Sequence, residues 1–203
     1  MRTIAVMSLK GGAGKTTISV HLAAAASARG LRVVLLDTDF QQLSAVTWSK
    51  VREQAEPRVI ELDPHRLAGA LEAARSDGYD LVVVDTAPHA GPDAVDVAKL
   101  VDLALLPVRP SVFDLAAANT TLQIVRANQT KALLVLSACP PRAPEIAQAR
   151  EALARSGVPI ARTEITDRRA YARAIQSGRA VGEFEPEGKA AQEIDSLLDE
   201  VMA

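Results

Sequence analysis

The sequence predicts an α/β fold, a doubly wound and mostly parallel sheet of about seven strands with helices on both faces. Apolar, β-branched segments alternate with alanine-rich segments of helical period, which is the pattern of βαβ units. In addition, 48% of the 203 residues are hydrophobic and 24% are charged, so the chain can bury a sizeable core. We therefore expect residues 1–203 to form a single domain.

The individual elements follow from local signals in chain order. Gly30 predicts a left-handed C-cap that ends the first helix, and Asp63 followed by Pro64 predicts the start of the third. The uninterrupted apolar run before Asp85 is typical of a buried strand. The predicted strands cover residues 3–8, 32–37, 59–62, 79–85, 103–107, 131–137 and 158–163. The predicted helices cover residues 17–29, 44–54, 64–76, 115–128, 143–156, 167–177 and 189–202.

Composition argues against several classes of protein. The net charge is −2, so any DNA-binding surface has to be local or built by oligomerisation. A lone cysteine, Cys139, cannot form an internal disulfide and has no partners for a zinc site, so we expect a small core or loop residue. No apolar run approaches the roughly 20 residues of a membrane-spanning helix, and the N-terminus is unlike a signal peptide. We expect a cytoplasmic protein.

The strongest motif is the glycine-rich loop Lys-Gly-Gly-Ala-Gly-Lys-Thr-Thr at residues 10–17, between the first predicted strand and helix. Glycines in this context let backbone N–H groups close around phosphate at a helix N-terminus. Lys15 is expected to reach the β- and γ-phosphates, and Thr16 to place its hydroxyl on Mg²⁺. Leu9 stands where the ordinary P-loop pattern has glycine, so the loop follows a deviant form. The predicted nucleotide-binding residues are Gly11, Gly12, Ala13, Gly14, Lys15, Thr16 and Thr17.

Carboxylates stand at the ends of two predicted strands. Because strand side chains alternate, Asp37 and Asp39 are expected on the same side, facing the phosphates. For Asp37, a role in capping the loop remains the alternative. Asp85 ends the apolar strand 79–85 and is expected to face metal-bound water. The predicted metal-site residues are Thr16, Asp39 and Asp85.

The loop at residues 10–17 resembles that of the ParA/MinD/NifH group of P-loop ATPases, in which the lysine matching Lys10 reaches across a dimer to the partner's nucleotide. The resemblance implies ATP and Mg²⁺ as cofactors and Lys10, Lys15 and Asp39 as catalytic residues. It also implies an ATP-dependent homodimer or higher assembly. A positive charge that acts in trans would make nucleotide binding and dimerisation one thermodynamic event.

Two acidic segments extend the resemblance. Residues 35–41 resemble the group's D-x-D-P-Q switch, whose second aspartate, here Asp39, helps to position or activate water. Phe40 replaces the proline of that pattern, which removes a φ restraint from the loop. Residues 81–88 resemble a Walker B segment, which carries the metal-site role over to Asp85.

Three further segments predict the second switch loop, a loop near the dimer interface and the base of the bound nucleotide. Residues 86–92 are expected to form the second switch loop, with His89 solvated. Residues 107–114 resemble the P-V-x-P-S-x-x-D loop near the dimer interface and nucleotide; Asp114 belongs to that loop or is the N-cap of the next helix. The strand that carries a base-reading N-K-x-D motif in GTPases ends here at Ser137, which favours ATP over GTP.

The C-terminal third is rich in arginine and resembles the short ParF-type ParA proteins. Arg162, Arg169 and Arg173 are the predicted DNA-binding residues, the last two one helical turn apart, and the resemblance implies sequence-independent DNA binding. The alternative is a solvated helix face on which these arginines pair with Glu164 and Asp167.

The last predicted helix tests an alternative in which the protein binds membranes. MinD-like relatives end in a basic amphipathic helix, whereas residues 191–200 are acidic on their polar face, which anionic lipid would repel. We expect Ile194, Leu197 and Leu198 to pack on the core and no membrane partner.

The leading hypothesis is a slow, partner-stimulated ATPase that partitions or positions a cargo. ATP would close a dimer on nonspecific DNA, hydrolysis would release it, and the protein would associate with the nucleoid when ATP is bound. Plasmid DNA is the first expectation for the cargo, with an adaptor protein of ParB type. The alternatives are a metabolic ATP-dependent enzyme of the dethiobiotin-synthetase kind and a nucleotide-gated scaffold with negligible turnover. NifH-like electron transfer is disfavoured because its cluster needs cysteines beyond Cys139.

Overall fold

Seven strands form one sheet in the computed structural model, which describes residues 1–88 and 91–203. Their bounds are β1 (Arg2–Val6), β2 (Val33–Asp37), β3 (Arg58–Glu61), β4 (Leu81–Asp85), β5 (Leu103–Val108), β6 (Ala132–Cys139) and β7 (Ile160–Thr166). The order across the sheet is β3-β2-β4-β1-β5-β6-β7, and every neighbouring pair is parallel. The predicted doubly wound parallel sheet is confirmed.

Within the described part of the chain, nine helices cover the two faces of the sheet. One face carries α1 (Lys15–Ala28), α2 (Ser44–Val51), α7 (Arg169–Gln176), α8 (Val181–Phe184) and α9 (Lys189–Met202). The other carries α3 (Leu67–Ser76), α4 (Pro92–Leu100), α5 (Val112–Ala127) and α6 (Pro144–Ala154). Each layer of helices has its own apolar core against the sheet. All five residues of β2 and of β4 are buried, as expected for central strands covered on both faces.

Most predicted elements are present, and the differences have local causes. Gly30 has φ +85° just after α1, and the Asp63 carboxylate accepts the His65 N–H at the start of a short 3₁₀ turn before α3. Two helices were not predicted. Helix α4 buries only Val97 and Ala98, so its apolar stripe is too narrow to show a helical period, and α8 is a single turn.

The last helix packs on the core as predicted. Ile194, Leu197 and Leu198 of α9 are at most 1% exposed. Glu193 and Glu200, also on α9, accept hydrogen bonds from backbone N–H groups of the edge strand β7. The carboxylates of α9 thus occupy positions where a further strand would pair. Among the described residues, no helix is both long enough and apolar enough to cross a membrane.

A largely buried ion pair joins the end of α2 to α8. The guanidinium of Arg52, whose side chain is 3% exposed, donates to Glu183 through Nη1 at 2.7 Å and Nη2 at 2.5 Å. The same guanidinium lies over the ring of Trp48, with Cζ 4.8 Å from its centroid, and donates to the Gly178 carbonyl. Arg52 therefore joins the helix that follows the second strand to the segment between α7 and α8.

We expect Arg52→Ala to lower the free energy of unfolding by about 3 kcal/mol, the low end for breaking a buried pair, because Glu183 loses its cation but is 20% exposed and keeps the Ala180 N–H. The measurement is urea denaturation followed by circular dichroism. Arg155→Ala is the matched control, since its pair with Glu151 is 79% and 77% exposed and should contribute at most about 1 kcal/mol. Equal effects of the two substitutions would contradict the assigned role of the buried pair.

Candidate functional site

The glycine-rich loop follows β1, near the centre of the sheet, and leads directly into α1. Gly12 and Gly14 have φ of +77° and +90°, a conformation that residues with a Cβ rarely adopt. Gly14 is the N-cap of α1 and supplies no side-chain hydrogen bond, and the first turn contains no acidic residue. The N–H groups of this turn are therefore available to an external anion.

A cavity of about 280 Å³, named here the phosphate cavity, opens over this loop. The structure brings six of the seven predicted nucleotide-binding residues together around it: Gly11, Gly12, Gly14, Lys15, Thr16 and Thr17. Ala13 differs, since it is 1% exposed and its carbonyl accepts the Ser137 hydroxyl at 2.8 Å. The other lining residues are Asp39 and Pro88 of the two predicted switch segments, Gln42 and Ser44 just beyond the first of them, and three apolar side chains, those of Val20, Trp48 and Ile175.

Lys15 is 7% exposed and lines the phosphate cavity. Burial lowers the pKa of Lys15, although the carboxylates of Asp85 and Asp39 favour its charged form. Among residues 1–88 and 91–203, no carboxylate lies within 4 Å of its ammonium group. A buried cation without a direct partner is suited to bind an anionic ligand such as phosphate.

Asp85 lies behind the loop and does not line the cavity. It is 1% exposed and accepts a hydrogen bond from the Ser19 hydroxyl at 3.0 Å. Burial raises the pKa of Asp85 to about 7, against the effect of the neighbouring Thr16 and Ser19 hydroxyls. This position lets Asp85 orient the Thr16 hydroxyl and act on a bound metal indirectly.

The two aspartates after β2 have different surroundings. Asp37 is fully buried, and its carboxylate accepts the backbone N–H groups of Asp39, Ala45 and Val46 at 3.0–3.1 Å. It therefore fixes the start of α2, and the prediction that it faces the phosphates is wrong. Strand alternation fails here because β2 ends at Asp37. Asp39 lies in the turn beyond the strand and does line the phosphate cavity.

The turn that replaces the proline-containing switch is well defined by hydrogen bonds. The Asp39 carboxylate accepts the N–H groups of Gln41 and Gln42 at 3.2 and 3.3 Å, and its carbonyl accepts that of Leu43 at 2.8 Å. Gln42, not Gln41, lines the phosphate cavity. Phe40 projects from the turn and is 48% exposed.

Lys10 lies outside the phosphate cavity, held by a residue of the first turn of α5. Its Nζ contacts Asp114 Oδ2 at 2.6 Å, and Asp114, 6% exposed, also accepts the Ser111 hydroxyl. Ser111 is the N-cap of α5, since its Oγ accepts the Asp114 N–H at 3.2 Å. The alternative that Asp114 is the helix cap is therefore wrong, and Asp114 binds the loop lysine.

A second cavity of about 330 Å³, named here the β6–β7 cavity, lies on the other side of the loop. It shares Gly12, Gly14 and Thr17 with the phosphate cavity and is otherwise lined by the ends of β5, β6 and β7 and by α7. A nucleotide whose phosphates lie on the loop can extend its base into this space. No sequence motif indicated Thr166 or Arg168, which line it, because only the pairing of β6 with β7 brings them to the loop.

The predicted DNA-binding residues Arg162, Arg169 and Arg173 are all exposed, the last two on α7. Glu164 pairs with Arg150 at 2.8 Å, so the alternative pairing with the α7 arginines does not occur for this carboxylate. Within the described ranges, Asp167 makes no ion pair with them either. The predicted position of His89 lies outside the described residues.

Comparison with solved structures shows which proteins share this fold. MinD, a cell division ATPase from Pyrococcus furiosus, superposes with a TM-score of 0.80 at 21% identity, covering 99% of this chain and 98% of that one. McdA from Cyanothece, without nucleotide, also gives 0.80, at 18% identity over the full length of both chains.

Sequence relatives match over nearly the whole chain. The maintenance of carboxysome distribution protein A of Halothiobacillus neapolitanus is 35% identical over 98% of this chain and 96% of its own length. The chromosome-partitioning ATPase Soj of Thermus thermophilus is 30% identical over 100% of this chain and 96% of its own length. The model of the CobQ/CobB/MinD/ParA nucleotide-binding domain matches residues 4–181. The chain therefore belongs to the CobQ/CobB/MinD/ParA family, and within it to the ParA/MinD-type ATPases.

Proposed function

We propose that this ATPase assembles on binding ATP, holds nonspecific DNA in the assembled state, and positions a cargo through an adaptor protein of ParB type. Hydrolysis, slow on its own and stimulated by the partner, ends the cycle and releases the DNA. The observation that carries the proposal is the different position of the two loop lysines. Lys15 is buried at its own phosphate cavity, whereas Lys10 lies outside that cavity on Asp114.

Nucleotide binding follows from the site. The phosphates would lie on the N–H groups of the first turn of α1, with the Lys15 ammonium completing their neutralisation. Mg²⁺ accepts hard oxygen ligands and usually takes only one or two from the protein, which the Thr16 hydroxyl and Asp39 carboxylate can supply. When bound, the ion neutralises charge on the β- and γ-phosphates. Asp39 would orient the attacking water, being the carboxylate that lines the cavity.

Assembly follows from the position of Lys10. A lysine that contacts the nucleotide of a second subunit stabilises only the assembled state, which couples ATP binding to dimerisation. To make that contact, Lys10 has to exchange Asp114 for the partner's phosphates. The side chain of Lys10 is 38% exposed, so it can leave Asp114 without unpacking the core.

Light scattering coupled to size exclusion tests this proposal. We expect the wild type to double its mass, or assemble further, with a nonhydrolysable ATP analogue and to remain a monomer with ADP or no nucleotide. Lys10→Ala should bind the analogue and remain a monomer, because the charge in trans is missing. Lys131→Ala is the matched control, since Lys131 is an exposed lysine next to the amino end of β6. A wild-type mass that ignores nucleotide would overturn the proposal.

DNA binding is expected to depend on α7. If an assembled dimer neutralises about four phosphates with two copies of Arg169 and Arg173, the slope of log affinity against log salt is about −3.6. We expect the double variant Arg169→Ala, Arg173→Ala to remove most of this slope in the presence of the ATP analogue. Arg66→Ala, Arg75→Ala changes the charge equally at exposed positions outside α7 and should bind as wild type. Fluorescence anisotropy on duplex DNA at several salt concentrations makes the comparison, and unchanged binding by the α7 variant would reject this surface.

The kind of cargo is proposed from the relatives. Two of them, from Halothiobacillus neapolitanus and Gloeobacter kilaueensis, are named for carboxysome distribution and are 35% and 32% identical over 98% and 96% of this chain. Soj is named for chromosome partition, and a Rhizobium radiobacter relative, ParA, is 27% identical over 88% of the chain. We therefore place a protein compartment before plasmid DNA as the cargo, with the ATP-bound protein on the nucleoid.

The metabolic alternative shares the scaffold, since the family also includes the CobQ and CobB domains. The names of the relatives that align over most of the chain favour a positioning ATPase instead. A nucleotide-gated scaffold without turnover is separated from the proposal by measuring hydrolysis with and without the adaptor and DNA. A rate that stays negligible with both would favour the scaffold.

A further inference from the structure

Arg109 lies against the phosphate loop although it belongs to a different segment. It is the first residue after β5, and β5 pairs with β1, so the loop that follows β5 lies beside the loop that follows β1. A Cβ built on Gly12 would be 3.5 Å from Arg109 Nη2 and 3.9 Å from its Cζ. The guanidinium therefore lies on the side of Gly12 from which a side chain would project, close enough to touch an added Cβ.

Among residues 1–88 and 91–203, no carboxylate compensates the charge of Arg109. In the described part of the chain, no carboxylate lies within 4 Å of its guanidinium, and the side chain donates no hydrogen bond. Its neighbour across the loop, Lys10, is by contrast neutralised by Asp114 at 2.6 Å. An unpaired arginine beside an uncapped helix N-terminus adds to the positive potential of the loop.

Arg109 also lines the β6–β7 cavity together with Gly12, Gly14 and Thr17. These three loop residues line the phosphate cavity as well, so they mark the passage between the two cavities. A nucleotide that spans both cavities would pass this point with its phosphates, beside the residue that Arg109 approaches. The planar guanidinium can donate two parallel hydrogen bonds to phosphate oxygens, which a lysine cannot do.

We propose that Arg109 is a phosphate-binding residue for the nucleotide of its own subunit. The inference rests on the proposed function and adds to it a second cation, supplied by the β5–α5 loop, that acts in cis. It acts in cis because its guanidinium already lies on its own loop, whereas Lys10 is held away from the cavity by Asp114.

The test is equilibrium binding of ATP and GTP with Mg²⁺ by calorimetry or fluorescence competition. It is done on the Lys10→Ala background, which removes the contribution of assembly. We expect Arg109→Ala to weaken ATP binding about 10- to 100-fold, the usual effect of losing hydrogen bonds to a charged group. GTP binding should weaken by the same factor, because ATP and GTP carry the same phosphates and differ only in the base. The ATP affinity of Arg109→Lys should fall between those of the wild type and Arg109→Ala, since lysine keeps the charge and loses the second hydrogen bond.

Arg75→Ala is the matched control, an exposed arginine on α3 that lines neither cavity. Arg109 is exposed, so the melting temperature of Arg109→Ala without nucleotide should equal that of the wild type.

Unchanged ATP affinity in Arg109→Ala would overturn the inference, and so would an altered ratio of ATP to GTP affinity, which would indicate a base contact. If Lys15→Ala loses nucleotide while Arg109→Ala binds normally, only this inference fails. If both bind normally, the proposed function fails with it.

Discussion

Lys15→Ala is expected to lose nucleotide binding, with an ATP affinity at least about 100-fold below that of the wild type. Lys15 is the cation that lines the phosphate cavity and has no carboxylate within 4 Å among the described residues. If it contacts both terminal phosphates, the substitution removes two charge-assisted hydrogen bonds, each contributing about 1.5–3 kcal/mol. Calorimetry with ATP and Mg²⁺ measures the loss, and Lys131→Ala, at an exposed position outside both cavities, should bind as wild type.

Removal of the Lys15 charge should not reduce the stability of the nucleotide-free protein, although it removes nucleotide binding. Burial lowers the pKa of Lys15, so the charged form is disfavoured in the folded state. Lys15→Met, which removes the charge and keeps the bulk, should therefore unfold at the same temperature as the wild type or higher when no nucleotide is present. ATP should raise the melting temperature of the wild type alone. A Lys15→Met variant that melts well below the empty wild type would show that Lys15 has a structural partner.

The pH dependence follows from the same shift. Between the lowered pKa of folded Lys15 and its usual value near 10.5, the unfolded chain binds more protons at this position than the folded one. Stability of the empty wild type relative to Lys15→Met should therefore rise as the pH increases through this window. Urea denaturation of both proteins from pH 7 to 10 measures the difference, and a relative stability that falls with pH would contradict the assigned shift.

The sequence predicted the parts of the site that depend on the local chain. The glycine-rich loop is one continuous segment, and its glycines are needed because Gly12 and Gly14 have positive φ. A glycine-rich motif between a predicted strand and a predicted helix is therefore enough to predict this loop. The position of the loop near the centre of the sheet also follows from the alternation of strands and helices, which predicts a doubly wound topology.

Other features depend on contacts between distant segments and were not visible in the sequence. Asp37 and Asp39 are two residues apart and equally acidic, yet only the packing of α2 on β2 decides that Asp37 accepts backbone N–H groups while Asp39 lines the cavity. Asp114 is close to a helix start, a position typical of a cap. In the structure Ser111 is the N-cap, and Asp114 pairs with Lys10. Arg109 reaches the loop only because β5 is a neighbour of β1.

Asp39→Ala is expected to separate assembly from turnover. The variant loses the carboxylate that lines the cavity, so hydrolysis should slow by about 10²–10⁴-fold, the usual contribution of a positioned base or water-orienting group. ATP-dependent assembly should persist, because Lys10 and Lys15 are intact. The fold should also persist, since the N–H groups of Gln41 and Gln42 that Asp39 accepts lie in a surface turn. Phosphate release and light scattering on the same samples measure both properties.

Two further variants decide why turnover is lost. Asp37→Ala should reduce stability instead, because it leaves three backbone N–H groups near the start of α2 without their acceptor. Asp96→Ala, 49% exposed on α4, controls for the loss of an acidic residue and should hydrolyse ATP as wild type. If Asp39→Ala hydrolyses ATP at the wild-type rate, Asp39 does not orient the water. If it neither assembles nor hydrolyses, the carboxylate is needed to bind the Mg²⁺–nucleotide, and its role precedes the chemical step.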